Sequence, residues 1–347
     1  MFHFAPTGIG SVPSLDVRGT CLRILDRCRE APFWPQFVQR SPLENMVIQF
    51  SKGFPLLEIS GDGKSLILSR REREPELVSF YDRFLADDVE HFAIGRDYAP
   101  GLFELVDLIQ RNPGTYGPFI KGQTVGPVTF LGTVEGRDGK SLLHDLELRE
   151  ALVKALAIRA LWQVRKLSTT GKKPIFFLDE PYLSGYGSAF TPLDRHDVIS
   201  LIKEVIDYVR EREDVLLGIH CCGNTDWSML FEAGPDIISF DAFSHMDYFL
   251  LYPEAISRFI GRGGIISWGI IPTGEQAGKE SAEGLVSRIA EALTKVEKWG
   301  LDRKEVAGRS LLTPSCGMGT MNEKAGLEVL ELLRTVSRKC NDLVSGF

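Results

Sequence analysis

Two cysteines, a histidine and an aspartate are the residues most able to do chemistry in this chain. They are spread from position 220 to position 316. His220 and Cys222 are separated by one residue in the run GIHCCGN, so on an extended strand they share a face while Cys221 points the other way. Cys316 lies in PSCGMG, and Asp241 ends the run DIISFD. A buried cysteine at a strand end commonly only packs, so the His-x-Cys pair alone is a weak signal. One nitrogen, two sulfurs and one oxygen brought to a common point form a donor set suited to tetrahedral zinc. Cys221 is read as core.

A second group has the residue types for holding a small polar substrate. Asp179 and Glu180 are adjacent in LDEPYL, so at most one of them faces a given side of a strand. One reading is a carboxylate for a substrate ammonium; the other is a helix cap or a salt bridge. Ser11 follows a glycine in IGSVP, where it could cap a helix or receive a substrate carboxylate while the glycine lets backbone approach a ligand. Glu90 and His245 are further candidates, with solvated roles favoured for both. No GxxxxGK[ST] phosphate loop or GxSxG elbow is present, and the glycines of 261–264 precede a strand instead of following one.

Something must carry these residues to one place. Short β-branched or aromatic runs alternate with long amphipathic stretches, the pattern of βα units. Eight strands are predicted at 3–10, 32–38, 117–124, 173–179, 214–221, 236–241, 264–270 and 311–315, with helices between them such as 141–168 and 193–212. Ser41, Pro42 and Glu44 have the form of a capping box, which predicts a helix over 42–52. The stretch 55–69 turns at Gly-Asp-Gly and is predicted to be a hairpin insertion. Eight strands with intervening helices predict an α/β fold, a single (β/α)8 TIM barrel spanning 1–347; a doubly wound open sheet is the alternative. In such barrels the chemistry sits where the strands end, and that is where the motifs fall.

The 347 residues carry a formal charge of −7, which argues against nucleic-acid or anionic-membrane partners. Hydrophobic residues make up 44% and charged residues 25%, an ordinary globular balance. No apolar run is long enough for a membrane span, and the N-terminus lacks the pattern of a secretion signal. Six cysteines in a chain of this length suit a reducing compartment, and a cytoplasmic location is expected.

Taken in order, IGSVP, GPVT, LDEPYL, HCCGN, DIISFD and SCGMGT resemble the C-terminal catalytic domain of cobalamin-independent methionine synthase, over about residues 5 to 335. That domain belongs to the superfamily of uroporphyrinogen decarboxylase and the methylcobamide:coenzyme M methyltransferases. The resemblance implies a (β/α)8 barrel and zinc held by His220, Cys222 and Cys316. The family's fourth ligand is a glutamate; Asp241, one methylene shorter, stands at that position and is expected to be a labile ligand with a catalytic part. Asp179 would hold the substrate amino group as a catalytic residue, Ser11 would help to hold the substrate, and Glu90 is a loose match to a further family glutamate. The implied activity is zinc-dependent methyl transfer to a thiol, with homocysteine giving methionine. The family's full-length synthase has a further N-terminal half that helps to bind methylfolate. Its absence from this sequence, with the HCCGNT run resembling corrinoid-dependent enzymes, leads to a methylcorrinoid donor on a separate carrier protein as the expectation. The alternatives are a coenzyme M-type methyltransferase, a non-catalytic zinc-binding homologue and, lower, a tetrapyrrole decarboxylase.

Overall fold

A computed structural model describes residues 1–137, 139–188 and 193–345. The strands are β1 (Ala5–Pro6), β2 (Leu57–Ile59), β3 (Leu66–Leu68), β4 (Phe119–Val125), β5 (Lys173–Asp179), β6 (Leu216–Cys221), β7 (Ile237–Phe240), β8 (Ile265–Ile271) and β9 (Ser310–Pro314). Seven of them form one parallel sheet in the order β1-β9-β8-β7-β6-β5-β4. The remaining two, β2 and β3, pair antiparallel as the expected hairpin, Leu57 opposite Leu68.

The sheet does not close into the expected eight-stranded TIM barrel. It is a curled sheet, open on one side, with a 10 Å gap between its edges. The missing strand is the one predicted at 32–38, and its sequence, PFWPQFV, explains the failure. Pro32 and Pro35 have no N–H to donate, and proline fixes φ, so a continuous ladder cannot form there. The segment makes isolated bridges instead, Phe33 to Lys121 on the β4 side and Gln36 to Ser11 on the β1 side. The doubly wound alternative does not hold either, because the strand order follows the chain around the sheet.

Twelve helices are found among the described residues: α1 (Val17–Arg27), α2 (Arg73–Leu85), α3 (Pro100–Arg111), α4 (Pro127–Thr133), α5 (Leu146–Ser168), α6 (Arg195–Arg210), α7 (Trp227–Glu232), α8 (Ala242–Phe249), α9 (Pro253–Gly261), α10 (Ala282–Glu297), α11 (Arg303–Gly308) and α12 (Glu323–Ser345). The predicted helix over 42–52 is two single 3-10 turns, Pro42–Glu44 and Ile48–Phe50. Ser41 does cap, accepting from Leu43 N at 3.2 Å, but the Glu44 carboxylate turns away to Phe37 N at 2.8 Å and to the Arg40 guanidinium at 2.9 Å. A tertiary partner has taken the side chain that would have completed the box. The long helix α5 also anchors this region. Its buried Arg159 donates to the carbonyls of Phe92 (2.9 Å), Phe50 (2.6 Å) and Lys52 and lies over the Phe54 ring.

Alternation along the parallel strands sets the floor of the site. Ala5, Ile175, Phe177, Ile237, Ile265 and Leu311 face inward and form a small apolar cluster separate from the main core. Toward the strands' C-terminal ends the same inner face turns polar, with Asp179, His220, Ser239, Ser267 and Thr313 buried there, while Lys121 is buried deeper, in register with Ile175. The opposite face of the sheet, with Phe176, Leu178, Leu217 and Ile219, belongs to the main core shared with the helices. Burying so many polar groups on one face costs free energy unless each finds a partner. The partners present and missing define the site.

Candidate metal and substrate site

His220 is the penultimate residue of β6, on the inner face, and is 2% exposed. Its Nδ1 lies 3.0 Å from Ser239 Oγ on the neighbouring strand β7, a contact that fixes the ring plane, while its Nε2 is buried without a partner. Cys222 continues along the same face just past the strand, and Cys316 approaches from the loop after β9; both are half-buried. The two thiols and the His220 ring lie close enough to act on one another's ionisation. The shared contact drives the two sulfurs apart in acidity. Cys316 is held well below the usual thiol range by the neighbouring Cys222 thiol and then by His220, and Cys222 is pushed up by Cys316 and by burial. Cys221 faces the opposite way, fully buried in the main core, its thiol donating to the Gly223 carbonyl at 3.5 Å and pushed up to about 12 by burial.

The acidic pair divides its roles by face. Asp179 ends β5 on the inner face beside His220, 8% exposed, and its Oδ1 has no hydrogen-bond partner. Burial pushes its carboxyl up to about 6, against the opposing charges of Lys121 and His220 and with the Cys316 sulfur adding to the rise. Glu180 points outward and is fully buried. Its carboxylate accepts from Val128 N (2.9 Å), Thr129 N (2.7 Å) and Thr129 Oγ1 (2.6 Å), holding the first turn of α4. A Cβ on Gly126 would overlap the Glu180 carboxyl. LDEP and GPVT are therefore two halves of one structural lock, which the sequence alone did not reveal. Glu180→Ala orphans three buried donors and is expected to lower unfolding free energy by about 3 kcal/mol or more, measured by urea denaturation.

The other predicted residues are placed differently from one another. Ser11 meets the Cys316 loop: its Oγ accepts from Gly319 N at 3.2 Å, and its carbonyl accepts from Met318 N at 2.9 Å. Asp241 lies at the end of β7 and caps α8, accepting from Ser244 N at 2.8 Å. Burial raises its carboxyl, with the Ser244 hydrogen bonds opposing. Glu90 is not brought to this group. It is exposed on the turn Val89–Phe92, accepting from Trp162 Nε1 of α5 at 3.2 Å. His245 sits within α8 at a residue with non-helical backbone angles, its Nδ1 buried without a partner.

Sequence reasoning missed Lys121 and Ser239. The signal for Lys121 was present, a lone charge inside the buried run FIKGQTV. Ser239 in IISF had none, since a serine in a buried strand has no distinctive spacing.

Whether these donors suit a metal is decided by their chemistry and arrangement. Among the described residues, no group of three or more His, Cys, Asp and Glu side chains is arranged as a ready metal cage. Asp241 Oδ1 is engaged at the helix cap. The donor types nevertheless fit zinc, and the buried, unpartnered His220 Nε2 is the kind of atom a ligand satisfies.

No known family model matches the chain, and no curated protein matches it by sequence. Its fold is similar to that of a solved B12-independent methionine synthase from Shewanella sp. W3-18-1 in complex with selenomethionine. The TM-score is 0.60 at 16% identity, with 99% of each chain covered. A likeness at that identity establishes the fold.

Proposed function

We propose that the chain is a zinc-dependent methyltransferase acting on a thiol, with homocysteine as acceptor and methionine as product. One observation supports the reading: His220 at the end of β6 and Cys316 after β9, far apart in sequence, act on each other's ionisation and on that of Asp179, whose buried Oδ1 has no hydrogen-bond partner. His220, Cys222 and Cys316 would hold the zinc. When bound, the metal supplies Lewis acidity that favours the thiolate form of an acceptor thiol, which is mostly protonated at neutral pH. The remaining work falls to the chain. The Ser239 hydroxyl fixes the His220 ring so that Nε2 faces the site. Asp179 Oδ1 offers an acceptor for a substrate ammonium in a place where water is scarce, so an amino-bearing thiol is favoured over a sulfonate. Ser11, on the loop interlocked with 316–319, would orient the substrate's carboxylate end.

A methylcorrinoid donor, delivered by a carrier protein, is the finer part of the proposal. A folate donor is the second reading, favoured by the B12-independent enzyme whose fold this chain shares along 99% of its length.

Elemental analysis of the purified protein tests the metal. The expected result is about one zinc per chain, and cobalt substitution should give thiolate-to-metal charge-transfer absorption. Protein that folds and methylates a thiol without binding zinc would refute the reading. Asp241 is expected to be a labile contributor. Asp241→Asn keeps a good helix cap, so it should retain most of the zinc and the stability while losing about tenfold or more in turnover. Complete loss of metal from that change would make Asp241 an indispensable ligand.

A further inference from the structure

Lys121 is the one charged side chain within β4 and is completely buried. Alternation puts it on the inner face, two residues before Gln123. Its ammonium donates to the Ile9 carbonyl and to Gln123 Oε1 at 3.1 Å, and lies 4.5 Å from the centre of the Phe177 ring. β4 is one edge of the open sheet, and Ile9 follows β1, the other edge. The lysine side chain therefore spans the open side, where the proline-containing segment makes only single bridges.

The loop it grips leads directly to the site. Gly10 comes next and has no room for a side chain, since a Cβ there would overlap Gln36 and crowd Gln123. Ser11 follows and receives the amides of Met318 and Gly319. These are two and three residues beyond Cys316. Lys121, Ile9, Ser11 and the 316–319 loop thus form one connected path of hydrogen bonds and covalent links. Burying an ammonium is costly, and an aliphatic residue would fill this strand position without that cost. A tie between the two edges gives the charge a reason to be there.

We propose that Lys121 is a positioning residue, holding the Ile9–Ser11 loop to β4 across the open side of the sheet and through it setting the place of the Cys316 loop. The inference rests on the reading of Ser11 and Cys316 as site residues, but its first test does not depend on the reaction. Hydrogen–deuterium exchange is followed in the wild-type protein and in Lys121→Met, which keeps most of the apolar stem and removes donor and charge. Exchange at 8–12 and at Met318 and Gly319 should rise about tenfold or more, while β5, β6 and β7 keep their protection. Unchanged protection at 8–12, or equal loosening throughout the sheet, would overturn the proposal. Should Lys121→Met not fold, Lys121→Gln, which retains a donor too short to reach Ile9, takes its place. Failure of both to fold also overturns it, because Lys121 would then determine the fold and not the loop.

A second readout separates this inference from the proposed function. Homocysteine affinity is measured by calorimetry for wild type, Ser11→Ala, Lys121→Met and the double variant. If Lys121 acts through Ser11, each single change weakens binding and the double is no weaker than the worse single. Independent, additive losses would overturn the inference. Absence of homocysteine binding by the wild type would count against the substrate reading alone, with the exchange result still deciding the role of Lys121.

Discussion

Replacing Cys316 by serine is expected to remove zinc and methyl transfer together, and so is replacing Cys222, whereas Cys221→Ser should do neither. Cys222 and Cys316 act on each other's ionisation on the inner side of the sheet, and Cys221, one residue from Cys222, is buried in the core on the other side. A serine hydroxyl is a far poorer zinc ligand than a thiolate, because it does not ionise at neutral pH. Losing Lewis-acid assistance worth several kcal/mol corresponds to about a thousandfold or more in rate. The cost of Cys221→Ser is instead structural, about 1 kcal/mol, for a hydroxyl placed where a thiol packed. Metal content and thiol methylation in the three variants give the answer. Metal loss from Cys221→Ser with retention in Cys222→Ser would reverse the assignment of faces.

Asp179→Asn is expected to weaken catalysis and strengthen the fold. The change keeps the shape and removes the charge. If Asp179 receives a substrate ammonium, a buried charge pair loses one member, and kcat/KM for homocysteine should fall about a hundredfold or more. The des-amino thiol 4-mercaptobutyrate has no ammonium to lose, and its much weaker reaction should change little. Equal losses for both thiols would remove Asp179 from substrate recognition. The stability effect follows from titration. Folding raises the Asp179 carboxyl from 3.8 to about 6, so the folded state holds the proton more tightly than the unfolded one. Stability from this group is present in full below pH 4 and is lost as pH rises through 6. Above that pH the metal-free Asp179→Asn protein should exceed wild type by about 3 kcal/mol, with the gain vanishing below pH 4. A site residue that costs stability is what a carboxylate kept for a ligand looks like.

The strands that carry the site were legible because their sequences are unambiguous. LLGIHC, IISWGII and KPIFFLD are short, β-branched or aromatic and buried on both faces, which a parallel sheet covered by helices requires. Period-two alternation then placed His220 with Cys222 and separated Asp179 from Glu180. What was not legible depended on partners far along the chain. PFWPQFV has the hydrophobicity of a strand, but its prolines remove donors from the ladder, and the sheet stays open there. Glu44 fits a capping box by spacing, yet Phe37 N and Arg40 offer it better-placed partners. For Asp179 and Glu180 the sequence left a substrate carboxylate and a helix cap or salt bridge both open, and the lock Glu180 forms with α4 becomes visible only when the strand end meets the GPVT turn. Glu90 was matched on local sequence alone and lies on the outside of α5.

The most direct test of the account is methionine formation by the zinc-loaded protein. Homocysteine is supplied with methylcobalamin, with a methylated corrinoid carrier protein, or with methyltetrahydrofolate, each at equal concentration. The account predicts methionine that depends on zinc, with faster turnover from the corrinoid donors. Efficient turnover with methyltetrahydrofolate and none with either corrinoid would overturn the donor and leave the thiol chemistry standing. No methionine from any donor, with zinc bound at one per chain, would contradict the central claim that this site methylates homocysteine.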